Sequence, residues 1–277
     1  MSRFDRKRVR QAFNRAADSY DGAAVLQREI LNRLLEALEP VRHDPAVILD
    51  AGCGTGEACP ALHRRYRKAQ IVAMDIADNM LRYARRRGGL LHRPDCLCAD
   101  IEQLPLADGS IDLIFSNLAL QWVNDLPATL AECYRVLSPG GLLVFSTFGP
   151  DTLKELRQCW QQVDDAVHVN YFTDMHDIGD SLLQAGLADP VMSAEYLTVT
   201  YRQVTTLMQD LRDIGANVTA AGHRQGLLTP SSLKRVCDAY EQFRRDDGLP
   251  ASYEVIYGHA WKPANTLQPQ AVEVRLR

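Results

Sequence analysis

No apolar run in this sequence approaches the roughly 18 residues that a membrane-spanning helix needs. Charge of one sign is scarce too. The net charge is -4 with 24% charged residues, so there is no basic surplus to draw nucleic acid through its phosphates. No internal repeat or low-complexity tract occurs, which argues against solenoids and linker arrays. The seven cysteines show no metal-like spacing, and Cys96 and Cys98 stand one residue apart in an apolar run. That odd count, in a chain of 277 residues, points to reduced thiols and a cytoplasmic setting rather than a disulfide frame. The basic stretch "MSRFDRKRVRQAF" lacks the apolar core of a secretory signal. The expectation is therefore no metal, no membrane and no nucleic-acid partner.

What is present is enough apolar material, 46% of residues, to bury one large domain or one domain with an appended lid. Residues 5–39 read as two helices. Val9, Phe13, Ala16, Ala17 and Tyr20 share one stripe at helical spacing, and Leu26, Ile30, Leu34 and Leu38 share a second. The period then changes. "AVILDA", "QIVAMD", "CLCAD", "SIDLIFSN" and "GGLLVFSTF" read as short buried strands. Helices are expected between them over 57–67, 78–87 and 126–136. Strands alternating with helices imply right-handed crossovers and a mostly parallel α/β sheet covered on both faces. Beyond Phe148 helices are expected over 151–163, 174–185, 203–216 and 231–245. "AEYLTVTY" and "SYEVIYGHAWK" read as strands, with a tail over 264–277. The divisions follow: an N-terminal helical cover over 1–45, a ligand-binding α/β core over 46–200, a helical lid inserted over 201–250, and a closing strand and tail over 251–277.

The segment "ILDAGCGTGEA" places Gly52, Gly54 and Gly56 just after a strand. Glycines there admit unusual backbone angles and remove side chains where a ligand approaches. A dinucleotide site spaces them G-x-G-x-x-G and puts a pyrophosphate on the helix start. Here the third dinucleotide position is Glu57, whose carboxylate would repel a pyrophosphate. Asp50, two residues before the first glycine, can accept from an ammonium. A ligand with an amino-acid end suits this turn better than one with two phosphates. Asp75 ends the second strand and can take both hydroxyls of a ribose, with Ile76 beside it. Asp100 follows the third strand and can accept from an adenine amine, with Ile101 packing on the ring. Each acid alone is commonly a solvated strand end. Together they line the crevice where open α/β sheets bind ligands.

"LDAGCGTG", "MD", "ADIEQLPL", "FSNLALQWV" and "RVLSPGGLLVFSTF" resemble the class I methyltransferases that use S-adenosyl-L-methionine. The resemblance implies a Rossmann-like, seven-stranded, mostly parallel sheet with its last strand antiparallel. It makes Asp50, Gly52, Gly54, Gly56, Asp75, Ile76, Asp100, Ile101 and Asn117 the candidate cofactor-binding residues. "FNRAADSYD", "FGPDTLKELR", "DIGAN" and "YEVIYGHAW" are similar to the malonyl-[acyl-carrier protein] O-methyltransferases of biotin synthesis. Quinone methyltransferases share something like the first of these. A family of complex I assembly factors is similar around "WVNDLP" and "FGPDTLKELR".

The malonyl-enzyme resemblance implies methylation of a carboxylate carried on an acyl carrier protein or coenzyme A. Such an acceptor is ionised at neutral pH and needs no base. Proximity and a few donors, with at most one offset cation, then suffice. Tyr20, Gln121 and Trp122 are the candidate catalytic residues. Tyr20 would orient the carboxylate, Gln121 would donate to an acceptor oxygen, and Trp122 would wall the pocket. Gln27 and Arg28 are candidates for the cofactor's carboxylate. Basic groups for an acidic carrier stand at Arg3, Lys7 and Arg10, in "RYARRR" (82–87), and at Arg212, Arg224, Lys234 and Arg235. A quinol acceptor would instead need a base, and the crevice motifs contain no histidine; His168, His176 and His223 all fall in the second half. A non-catalytic assembly or binding protein that retains the cofactor fold is a third reading, and a hydride-transfer enzyme, on the glycine spacing, is a distant fourth.

Overall fold

A computed structural model describes residues 4–88, 93–218 and 229–264. Seven strands form one sheet: β1 (Val47–Ala51), β2 (Gln70–Asp75), β3 (Asp95–Cys98), β4 (Ile111–Asn117), β5 (Leu137–Phe148), β6 (Ala188–Tyr201) and β7 (Leu249–Trp261). Their order is β3-β2-β1-β4-β5-β7-β6. The first five pair in parallel, and β7 runs antiparallel to both β5 and β6. The last strand in the chain is thus the reversed one, as the resemblance implied.

The helices are α1 (Arg6–Ala16), α2 (Tyr20–Ala23), α3 (Val25–Ala37), α4 (Cys59–Arg65), α5 (Asp78–Arg87), α6 (Leu126–Val136), α7 (Lys154–Gln161), α8 (Met175–Gln184), α9 (Val204–Asp213) and α10 (Pro230–Tyr240). The two helices expected over 5–39 are three, because the chain turns after Ala16 and restarts at Tyr20. Asp5 caps α1 by accepting from the Lys7 and Arg8 amides. Asp125 caps α6 in the same way at Ala128. Such side-chain acceptors satisfy amides that a helix start leaves unpaired.

Alternation along the central strands feeds two cores. Ile48, Leu113, Phe115, Leu142 and Val144 face α3, α4 and α5, packing with Leu34, Leu62 and Leu81. Leu49, Ile114, Leu143 and Phe145 face the opposite side and pack with Leu130 and Cys133 of α6 and Leu182 of α8. Strands covered on both faces read as continuous apolar runs for this reason. A third cluster joins Leu156 and Trp160 of α7, Leu207 of α9, and Val236 and Tyr240 of α10 to Tyr253 and Val255 of β7. This layer, which includes the two helices between β6 and β7, sits over the carboxyl end of the sheet beside the N-terminal helices. Ser19 donates to the Asp213 carbonyl at 2.9 Å. At Gly215 an added Cβ would lie 3.1 Å from Phe13 and 3.3 Å from Ala16. The glycine of "DIGAN" lets the turn after α9 pack against α1.

Candidate active site

Gly52 and Cys53 both donate to the Met74 carbonyl, at 2.8 and 2.9 Å, tying the glycine turn to β2. The two later glycines do different work. Gly54 has φ +52, and a Cβ built there meets nothing nearer than the Tyr20 ring at 3.9 Å. A Cβ there would make only ordinary contact with that ring. Gly56 has φ +80, and its Cβ would lie 2.8 Å from the Ala84 backbone. It lets α5 pack on the turn and is not among the residues that line the clefts described below.

Asp50, in the middle of the sheet, is buried. Burial pushes its carboxyl up to about 7, aided by the charge of Asp75 and opposed by the Cys59 thiol 3.6 Å away. Asp75 is buried at the end of β2 and is pushed up to about 6 by burial, against the pull of backbone amides. Gly54 and Ala77 donate to its two oxygens at 2.9 and 2.8 Å. Asn117, at the end of β4, accepts from Ser146 at 2.7 Å and donates to the Gln27 carbonyl at 3.3 Å.

Three clefts surround these residues. One of about 600 Å³ is lined by Gly52, Gly54, Asp75, Ile76, Ile101 and Asn117, among others. A second of about 450 Å³ is lined by Gln27, Arg28, Asp50, Thr55, Gly54 and Asn117, among others. A third of about 810 Å³ is lined mainly by apolar side chains, including Leu118, Phe148, Leu153 and Phe172, together with Gln121 and Trp122. Tyr20 lines all three. Burial first, then the charges of Asp75 and Asp21, push its phenol well above its ordinary range. It is a donor at neutral pH and not a base.

Asp100 stands apart. It is not among the residues lining the three clefts. Its two oxygens are held by Arg6, one by Nε at 2.6 Å and the other by a short Nη2 contact. The neighbouring Ile101 lines the cleft, while the Asp100 carboxylate, expected to accept from an adenine amine, is held here by Arg6 of α1. Gln121 donates to the Leu118 carbonyl at 2.7 Å. Trp122 packs against Phe4 and Phe13, with ring centroids 5.4 and 5.3 Å away.

Several wall residues gave no sequence signal. Leu118 and Leu153 take φ of +53 and +55 without being glycine. Strain of this kind is held in place by surrounding structure. Here the Leu118 amide donates to Ser146 and the Leu153 amide to the Ser252 carbonyl, at 3.1 and 2.7 Å. Asn170 and His168 also line the third cleft. The expectation that histidine stays out of the crevice motifs holds for the sequence, yet folding brings His168 into this chamber. Arg3, His223 and Arg224 lie outside the described residues. Among the described residues no cluster could hold a metal ion, and no helix is long and apolar enough to cross a membrane.

A family profile described as "Methyltransferase domain" matches residues 49–145. The malonyl-[acyl-carrier protein] O-methyltransferase of Gallionella capsiferriformans is 54% identical over 268 residues, covering 94% of this chain and 92% of its own. The enzyme of the same name from Laribacter hongkongensis is 51% identical, covering 94% and 90%. Among solved structures, Haemonchus contortus phosphoethanolamine N-methyltransferase 2, in complex with phosphomonomethylethanolamine and S-adenosylhomocysteine, has a similar fold. Its TM-score is 0.53 at 17% identity, over 84% of this chain and 52% of that one.

Proposed function

Since the chain belongs to the malonyl-[acyl-carrier protein] O-methyltransferase family, we propose that it converts the free carboxylate of a malonyl thioester to its methyl ester, an early step of biotin synthesis, with S-adenosyl-L-methionine as methyl donor. The observation that carries this reading is the meeting of three clefts at Tyr20, two rimmed by glycine and acid and one apolar.

The residues fit that cofactor. Gly54 leaves open a space that any side chain would narrow. Asp75, Ile76 and Ile101 line one cleft, where Asp75 would accept ribose hydroxyls and the two isoleucines would flank a purine. Asp50 suits an ammonium, while Gln27, Arg28 and Thr55 suit the carboxylate beside it. The group supplies, when bound, an electrophilic methyl on a sulfonium.

The chain's own part is alignment. A carboxylate acceptor is already ionised, since such groups titrate near about 4. Orientation within a dry chamber can then contribute several kcal/mol. Tyr20, kept protonated by burial, donates to the acceptor and closes the junction between clefts. Gln121 steadies an acceptor oxygen, and Trp122 shuts out water from the side of α1.

We further propose an acyl carrier protein as the bearer of the malonyl group, with coenzyme A as the lesser alternative. Lys7 and Arg10 on α1 and Arg82, Arg85 and Arg86 on α5 are exposed, and an acidic carrier would be steered by them. Arg10 is partly offset by Asp78 at 3.3 Å.

The test is transfer of labelled methyl from S-adenosyl-L-methionine to malonyl-carrier protein, free malonate and a quinol, side by side. Preferred labelling of the carrier-bound malonyl group supports the reading. Labelling of the quinol alone overturns it.

A further inference from the structure

An anion entering the apolar chamber loses its water, and this is costly without a partner inside. Among the described residues lining that chamber there is no Asp, Glu, Lys or Arg; the lining does include the imidazole of His168. It lies in a stretch without helix or strand between α7 and α8, yet it is firmly held. Its ring stacks on Trp160, with centroids 3.7 Å apart and planes within 12°. Its Nε2 lies 2.8 Å from Oδ1 of Asp164. Arg157 pins the stretch by donating to the Thr152 and Asn170 carbonyls at 2.9 and 3.4 Å. Nδ1 makes no hydrogen bond to a described residue.

A core histidine satisfied by its neighbours would use both ring nitrogens. Here Nε2 is held by Asp164, and the ring lines the chamber. Resting on the malonyl reading above, we propose that His168 is the residue that binds the acceptor's carboxylate. Nε2–H donates to Asp164, and Nδ1–H donates to one carboxylate oxygen, leaving the other oxygen free for the methyl.

The arrangement answers both demands on the site. The imidazolium shares its charge with Asp164, so it attracts the acceptor without a full bare cation smothering the attacking oxygen. The new C–O bond forms as the C–S bond breaks; the carboxylate loses its negative charge, the sulfonium loses its positive charge, and no proton moves. The ester product then keeps only a weak neutral contact to His168 and leaves.

Arg157 of α7 and Asp164, Asp165 and Tyr171 of the connecting stretch line the outer cleft beside His168. Tyr20 of α2 and Tyr253 of β7 face it across the chamber. Burial drives both of those phenols upward, so neither titrates near neutrality.

The test uses the full chain saturated with S-adenosylhomocysteine. The probes are S-malonyl-pantetheine and its methyl ester, with binding read by calorimetry. For the native chain, the charged probe should bind at least tenfold more tightly than the ester. His168→Gln should weaken the charged probe by tenfold or more and leave the ester unchanged. KM for the malonyl substrate should rise more than kcat falls. Should His168→Gln fail to fold, Asp164→Asn decides, with selective weakening of the charged probe supporting the proposal. Unchanged charged-probe affinity in the variant that folds would overturn the role of His168 while the methyltransfer reading stood. Failure of the native chain to methylate any malonyl thioester would instead overturn that reading.

Discussion

Arg6 of α1 grips Asp100 with two guanidinium nitrogens, and its remaining nitrogen donates to the Trp122 carbonyl at 2.7 Å. Both side chains of the pair are about three-quarters buried, at 24% and 26% exposure. One residue thereby fastens the N-terminal cover to the strand end beside Ile101 and to the wall formed by Trp122. Bidentate pairs of this kind are among the stronger polar contacts, though partial exposure discounts them.

Arg6→Ala should loosen the cover. A loss of about 1 kcal/mol corresponds to roughly 2–4 °C in Tm for a chain of this size. Cofactor affinity should fall about fivefold, the binding equivalent of that energy. Thermal melts and calorimetry check both. Unaltered cofactor affinity would mean that α1 is not part of the closed site.

The two glycines should separate binding from stability. Gly54→Ala places a methyl in the cleft, with its nearest neighbour 3.9 Å away, while Gly56→Ala meets backbone at 2.8 Å. Both changes carry the cost of a left-handed backbone, about 1–2 kcal/mol. Gly54→Ala should cut cofactor affinity more than tenfold with a modest drop in Tm. Gly56→Ala should lower Tm much further, by displacing α5. The reverse pattern would show the two assignments to be exchanged.

How far the sequence spoke can be seen in the same places. Helices α5 and α6 fall on the bounds that their apolar period predicts, because each lays one regular face on the sheet. Strand β6 begins at Ala188, well before the run "AEYLTVTY". Its opening is hidden by Pro190 and by Asp189 at φ +51, next to an irregular register between Ala188 and Val191. Proline and a left-handed residue ordinarily signal a turn. Three alternating glycines could not reveal which one α5 packs on, since that is set by the approach of Ala84 to Gly56. Nor could Asp100 announce Arg6, 94 residues away, or a stretch without period announce His168. These are products of tertiary approach, to which local patterns are blind.

The buried acids set a pH dependence. Asp50 titrates at about 7 and Asp75 at about 6 in the fold, both raised first by burial, against about 4 in an unfolded chain. Between those values the folded state holds more protons than the unfolded one. Their contribution to stability is therefore complete below about pH 4 and is lost as pH rises through 6 to 7. A cofactor ammonium beside Asp50 favours the ionised form, so cofactor affinity should climb over the same interval as stability without cofactor declines. Melts with and without S-adenosyl-L-methionine should diverge steadily from about pH 5.5 to 7.5. Asp50→Asn should flatten most of that divergence; an unchanged gap would remove Asp50 from the ammonium site.

Tyr20→Phe tests the junction of the clefts. The ring remains to pack beside Gly54 and only the hydroxyl is lost, so cofactor affinity should change less than about threefold. Turnover should fall about 10- to 100-fold, within the range for a positioned donor. Steady-state kinetics with titration of S-adenosylhomocysteine reads both. A native rate would take Tyr20 out of the chemistry.

The most direct measurement of the central claim compares two acceptors that differ by one methyl group: malonyl-carrier protein and the same carrier bearing malonyl methyl ester. With labelled S-adenosyl-L-methionine, the account predicts rapid incorporation into the first as a base-labile ester and none into the second. Equal labelling of both, or label that survives base, would place the methyl somewhere other than the free carboxylate and contradict the account.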